Sequence, residues 1–180
     1  MSRTLSSNAK VIDGAVVTGE ATIEHDATVC GEATVRGRAW VYGSATVDGQ
    51  AVIMGHARAC GNARIMDEAV LMDEAFCGDD ASVMDRAKVQ GKARVIGRAT
   101  ICGQATVAGH AIVEDAAKVE GKALVAGRAR ICGDARLKGR AAIAGQAKIC
   151  GGTWDGWEGV VTRGEWRSPA DFMAWKEAKS

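Results

Sequence analysis

Apolar and polar positions alternate along residues 9–152 in a six-residue unit, A-x-[VIL]-x-G-x, that repeats without one insertion or deletion. Alanine stands at every sixth position from Ala9 to Ala147, 24 in all, and an aliphatic residue follows two places later except at Ala59 and Cys77. Alternation with period two marks a strand with one buried face, and here each strand lasts only about three to four residues. Two places after the aliphatic residue stands Gly, or one of Asp13, Asp67, Asp73, Asp79, Asp85 and Asp115, or His25. All three residue types tolerate positive φ. Each hexad therefore predicts a short strand followed by a corner.

The residues just after the corners decide how many hexads make one coil. If coils stack, opposite charges should coincide at the coil length, as cross-strand pairs do. A spacing of 18 residues aligns Glu20 with Arg38, Glu68 with Arg86, Glu74 with Lys92 and Asp80 with Arg98, against one like pair, Lys122 and Arg140. A spacing of 12 gives four opposite and four like pairs. The charges favour a three-sided prism with one Ala and one Val or Ile per side inside it. Eight coils would rise about 38 Å at the usual strand spacing of about 4.8 Å.

The hexads AKVIDG, ATVCGE, ATVRGR, ATVDGQ, AKVQGK and ARVIGR resemble the hexapeptide-repeat, left-handed β-helix superfamily over residues 9–152. They look closest to its acyltransferase-like and polymer-forming members, whose repeat also reads A-x-[VI]-x-G-x. The usual superfamily unit places Gly one position earlier, directly after the aliphatic residue. The resemblance implies an all-β fold, a single-stranded left-handed parallel β-helix forming a triangular solenoid of about eight 18-residue coils. The hand comes from the resemblance and not from the spacing. Related solenoids imply three parallel prisms around a threefold axis. Enzymes of the superfamily use a histidine near a subunit boundary, often served by a loop that interrupts the coils; no loop interrupts these hexads.

Outside the repeat, residues 1–8 form an N-terminal arm and residues 153–180 a Trp-rich C-terminal cap. Four of the five tryptophans, Trp154, Trp157, Trp166 and Trp175, lie there. Ser168-Pro169-Ala170-Asp171 is a helix start, with Ser as N-cap and Pro at the first position. A helix over about 169–179 is expected, capping the end of the solenoid or packing on its flank.

Sorting the outward positions by side gives three surfaces. The first carries Val16, Val52, Met54, Val70, Met72 and Leu124, interrupted by a few polar residues, and an apolar face of that extent marks an interface. The short helix covers about half of such a prism at 1.5 Å per residue, so self-association is expected. The second side alternates Trp40, Arg58, Phe76 and Arg94. It suits either a planar or anionic ligand or a ladder whose members satisfy one another. The third reads as solvated surface. At the edge beside the apolar side, Arg38, His56, Lys92, His110 and Arg128 gather basic and imidazole groups, interrupted by Glu20, Glu74 and Gln146. These five are the candidate ligands of a small anionic molecule, or the contacts of a protein partner, in clefts between subunits.

The favoured function is a non-catalytic, self-associating binding solenoid with no cofactor. The alternative is an acyltransferase of the hexapeptide class using acyl-CoA, with His56 or His110 as the catalytic residue. These two histidines share a corner three coils apart, about 14 Å, too far to act on one atom. No metal site is expected: His25, His56 and His110 do not converge, and Cys132 and Cys150 stack without further ligands. Asp67, Asp73, Asp79 and Asp85 form an acidic ring that corner geometry explains, because neighbouring corners lie on different edges.

Composition narrows the partners. The chain of 180 residues has 23 Lys and Arg against 22 Asp and Glu, a formal net charge of +1. That excludes nucleic-acid binding by bulk charge, and no window approaches the roughly 18 apolar residues of a membrane span. Residues 1–8 lack the apolar core of a signal peptide, so a cytoplasmic location is expected, with the six cysteines as thiols and no disulfide framework.

Overall fold

The computed structural model describes residues 4–179. They form a parallel β-solenoid of about nine turns with three flat sides, followed by one helix, Pro169–Glu177. Each strand is two residues long, and each pairs in parallel with the strand three places before and after it. One side is a sheet of ten strands running from Thr4–Leu5 to Glu165–Trp166; the other two hold nine each. The register is 18 residues, as in Thr22 opposite Trp40 and Val52 opposite Val70. The stacked charges obey it: Arg38 meets Glu20 at 2.7 Å, Arg86 meets Glu68 at 3.0 Å and Lys92 meets Glu74 at 3.5 Å. The fourth expected pair is replaced, since Asp80 accepts from the Asn62 amide at 2.9 Å.

The hexad supplies both the core and the corners. Each Ala and the aliphatic residue two places on point inward, and from Ala21 to Ile149 they are at most 1% exposed. A small residue at one inward position and a branched one at the other fill so thin an interior without voids. Backbone N–H groups bond to the coil above throughout, for example Tyr42 N to Ala59 O at 3.0 Å. The corners turn with positive φ at Gly and at all seven substitutes: Asp13, His25, Asp67, Asp73, Asp79, Asp85 and Asp115 fall between 58° and 62°.

The ends depart from the hexad. Thr4–Leu5, within the expected arm, pairs with Thr22–Ile23. After Ile149 the coil continues for another turn through Thr153–Trp154, Val160–Val161 and Glu165–Trp166, which makes about nine turns rather than eight. The register there is uneven: it shortens to 17 where Arg136 faces Thr153 and Lys148 faces Glu165, keeps 18 where Ala142 faces Val160, and the first corner turns at Gly152 with φ 74°. Trp154 occupies the inward position opposite Leu137 and is 1% exposed, its indole N–H donating to Gly151 O at 2.9 Å. The helix is capped by Ser168, whose Oγ accepts from Asp171 N at 3.2 Å. Phe172 on its inner side lies 6.0 Å from the Trp154 ring and 5.3 Å from the Trp166 ring, so the aromatic residues continue the core past the last hexad.

Candidate functional site

A cleft of about 420 Å³ is lined by Arg38, Trp40, His56, Arg58 and Glu74. The repeat explains its composition. Arg38 and His56 follow the corner glycines Gly37 and Gly55 one coil apart, and two residues further on the chain enters the ten-stranded sheet at Trp40 and Arg58. Corner and strand positions therefore meet along one edge. This edge also ends the apolar side, because the strand Val52–Ile53 and Met54 lead directly into the Gly55–His56 corner.

Trp40 is held in place. Its indole N–H donates to Glu24 Oε2 at 3.1 Å, and its ring lies 4.6 Å from that of Tyr42. The Tyr42 hydroxyl meets the Cys60 thiol; that contact and partial burial raise its pKa above the ordinary phenol value. Two coils on, the Phe76 ring covers Gly78, where an added Cβ would come within 2.6 Å of it. The ladder is satisfied in part. Arg94 sits 5.3 Å over the Phe76 ring, and Arg130 pairs with Glu114, which raises the guanidinium's pKa. Arg58, between Trp40 and Phe76, makes no ion pair or side-chain hydrogen bond among the described residues.

Of the five expected ligands, Arg38 and His56 line this cleft. Lys92, His110 and Arg128 lie further along the same edge at successive coils, exposed and outside it. Two of the cations have partners, Arg38 on Glu20 and Lys92 on Glu74. Such exposed pairs contribute about 0–1 kcal/mol each, so a ligand displaces them at little cost. His56 and His110 are separated by three steps of the 18-residue register, and only His56 reaches the cleft. Trp40 and Arg58, from the side expected to suit a planar or anionic ligand, join the corner residues Arg38 and His56 in one cleft together with Glu74. Their offset of two residues from Arg38 and His56 is the signal that would have joined them.

The apolar side presents Val16 at 47% and Leu124 at 41% exposure, with Val52, Met54, Val70 and Met72 half-buried between them. Val160, 62% exposed and paired opposite Ala142, extends this face by one coil.

The acidic ring is occupied with its own backbone. Asp67, Asp73, Asp79 and Asp85 accept from the N–H of Asp85, Gly91, Gly97 and Gly103 one coil on, at 2.7–3.0 Å. Asp115 does the same to Gly133. Among the described residues no three His, Cys, Asp or Glu side chains are grouped to hold a metal ion.

The expectation of six thiols is corrected: Cys132 and Cys150 form a disulfide. They stand at the same outward position on adjacent coils, with Cα atoms 4.3 Å apart, and the 18-residue register places their sulfurs in bonding reach. With that bond present, cysteine usage no longer argues for a reducing compartment. Cys30, Cys60, Cys77 and Cys102 remain thiols. Burial, aided by Asp48, pushes Cys30 up to about 11, and complete burial raises Cys77 further. Among the described residues no helix is long and apolar enough to cross a membrane.

Fold and site together define a three-sided parallel β-solenoid with a mixed aromatic and basic cleft at one edge and an apolar face beside it. Compared with known proteins, the sequence matches no family model and no curated protein.

Proposed function

We propose that this chain is a non-catalytic solenoid of the hexapeptide-repeat, left-handed β-helix kind. It self-associates through the Val16–Leu124 face as a homotrimer and binds a small planar anion in the Arg38–Arg58 cleft at the subunit boundary. The observation that carries this reading is Arg58. In a ladder that pairs Arg94 with Phe76 and Arg130 with Glu114, Arg58 keeps its donors unused beside a fixed indole. A ligand with a flat ring and an acidic group would stack on Trp40 and take charge-assisted hydrogen bonds from Arg58 and Arg38. Burial of the cleft edge by a neighbouring subunit would strengthen each contact by lowering the local dielectric. His56 adds a further ring N–H donor.

The test is calorimetry with nucleotides, sugar nucleotides and acyl-CoA. One of these classes should bind, Arg58→Gln should weaken it at least tenfold, and Arg94→Gln should leave it unchanged. Binding that survives His56→Ala and His110→Ala supports a sequestering module. Acyl transfer lost with either histidine would establish the enzyme instead.

A further inference from the structure

A second cavity, of about 430 Å³, opens on the edge where the ten-stranded sheet turns into the side that carries Lys118 and Arg136. Two departures from the repeat shape it. Along this edge the residue after the corner is polar, as at Asn62, Asp80, Arg98 and Asp134, but position 116 holds an exposed alanine and leaves a notch. One coil on, Asp134 has only the Ala116 methyl behind it in the column, and its carboxylate has no ion pair or hydrogen bond among the described residues. The second departure is the uneven register, which sets Gly152 and Thr153 at the far end of the cavity.

Thr100, Lys118, Arg136 and Thr153 form one outward column, each paired opposite the next at about 4.8 Å. Lys118 is paired with Glu120 at 2.7 Å, so it is not the free cation. Arg136 is exposed and makes no ion pair or side-chain hydrogen bond among the described residues. An unpaired guanidinium suits a phosphate, which its planar fork binds through two hydrogen bonds. The unpaired carboxylate of Asp134 is an acceptor for hydroxyl groups, and the two threonines both donate and accept. A plain anion would leave Asp134 facing like charge. The lining holds no aromatic ring and no large aliphatic side chain, so a nucleobase or an apolar tail has nothing to lie against.

We infer that this cavity binds a monosaccharide phosphate. The phosphate sits between Arg136 and Thr153, the sugar ring fills the notch over Ala116, and its hydroxyls bond to Asp134 and Thr100. The site is separate from the Arg38–Arg58 cleft and from self-association. An edge between two sides of a three-sided prism lies opposite the third side, and here that third side is the apolar one.

Calorimetry of the full chain with glucose 6-phosphate, mannose 6-phosphate, fructose 6-phosphate, glucose and inorganic phosphate tests it. At least one sugar phosphate should bind, and glucose and inorganic phosphate should each bind at least tenfold more weakly. Arg136→Gln should reduce that sugar phosphate to the level of glucose. Asp134→Asn should weaken it at least tenfold without weakening inorganic phosphate. Both changes are at exposed positions, so the fold should melt as the wild type does. Arg58→Gln, in the other cleft, should leave the binding unchanged. No saturable heat with any of the three sugar phosphates, inorganic phosphate that binds as tightly as they do, or binding that survives Arg136→Gln and is lost with Arg58→Gln would overturn the proposal.

Discussion

The carboxylate of Asp85 crosses from its own corner to the next coil and accepts a hydrogen bond from Gly103 N–H at 2.7 Å. The corner thus tolerates a Cβ when the side chain returns something. At Gly97, φ is 70° and an added Cβ would lie 2.9 Å from Asp115 N on the following coil. Asp79 occupies the equivalent place one coil earlier and offsets the same crowding by bonding to Gly97 N at 2.9 Å.

Gly97→Val should therefore lose about 1–3 kcal/mol, combining left-handed strain with the close contact. Gly97→Asn should lose far less, because its amide oxygen can accept from Asp115 N–H. Thermal melts of the two variants check this, and equal melting temperatures would contradict it.

The repeat made most of the fold legible, because strict hexads leave one way to bury Ala and Val together, and stacked charges such as Glu68 and Arg86 distinguish three sides from two. The last coil was not legible. Residues after Ile149 carry no hexad, and the inward position opposite Leu137 is filled by a tryptophan in a register shortened by one residue. Thr4–Leu5 was hidden for a similar reason, since no alanine precedes it at the expected place. At the site, Arg38 and His56 were legible as a corner column, but their union with Trp40 and Arg58 required placing corner and strand in one cleft. The disulfide was not legible, because an 18-residue separation stacks Cys132 on Cys150 whether the pair is reduced or oxidised.

That disulfide closes a loop of one coil. Constraining an 18-residue separation in the unfolded chain stabilises the fold by about 3 kcal/mol in the chain-entropy account. Reduction, or the double substitution Cys132→Ser with Cys150→Ser, should lower the melting temperature by several degrees, and a reductant should then have no further effect on the double variant. Differential scanning calorimetry with and without reductant reads both.

Thiol reactivity should follow burial. With Cys30 raised from 9.0 to about 11, its thiolate fraction at pH 8 is about a hundredfold lower than that of an ordinary cysteine. Alkylation by iodoacetamide, followed by peptide mass spectrometry, should show Cys30 modified slowly at pH 8. Its rate should rise about tenfold per pH unit up to about pH 11, because the reactive form appears only as the proton is lost. Cys77, completely buried, should remain unmodified while the fold is intact.

The proposed self-association matters most, because the cleft at Arg38 and Arg58 lies where the apolar face meets the edge and would become an enclosed site only when a neighbour covered that face. Light scattering coupled to size exclusion measures it directly. The wild type should have three times the chain mass, and Val70→Asp with Met72→Lys, at half-buried outward positions, should give a folded species of one chain mass. A wild type that is already monomeric across the micromolar range would contradict the account.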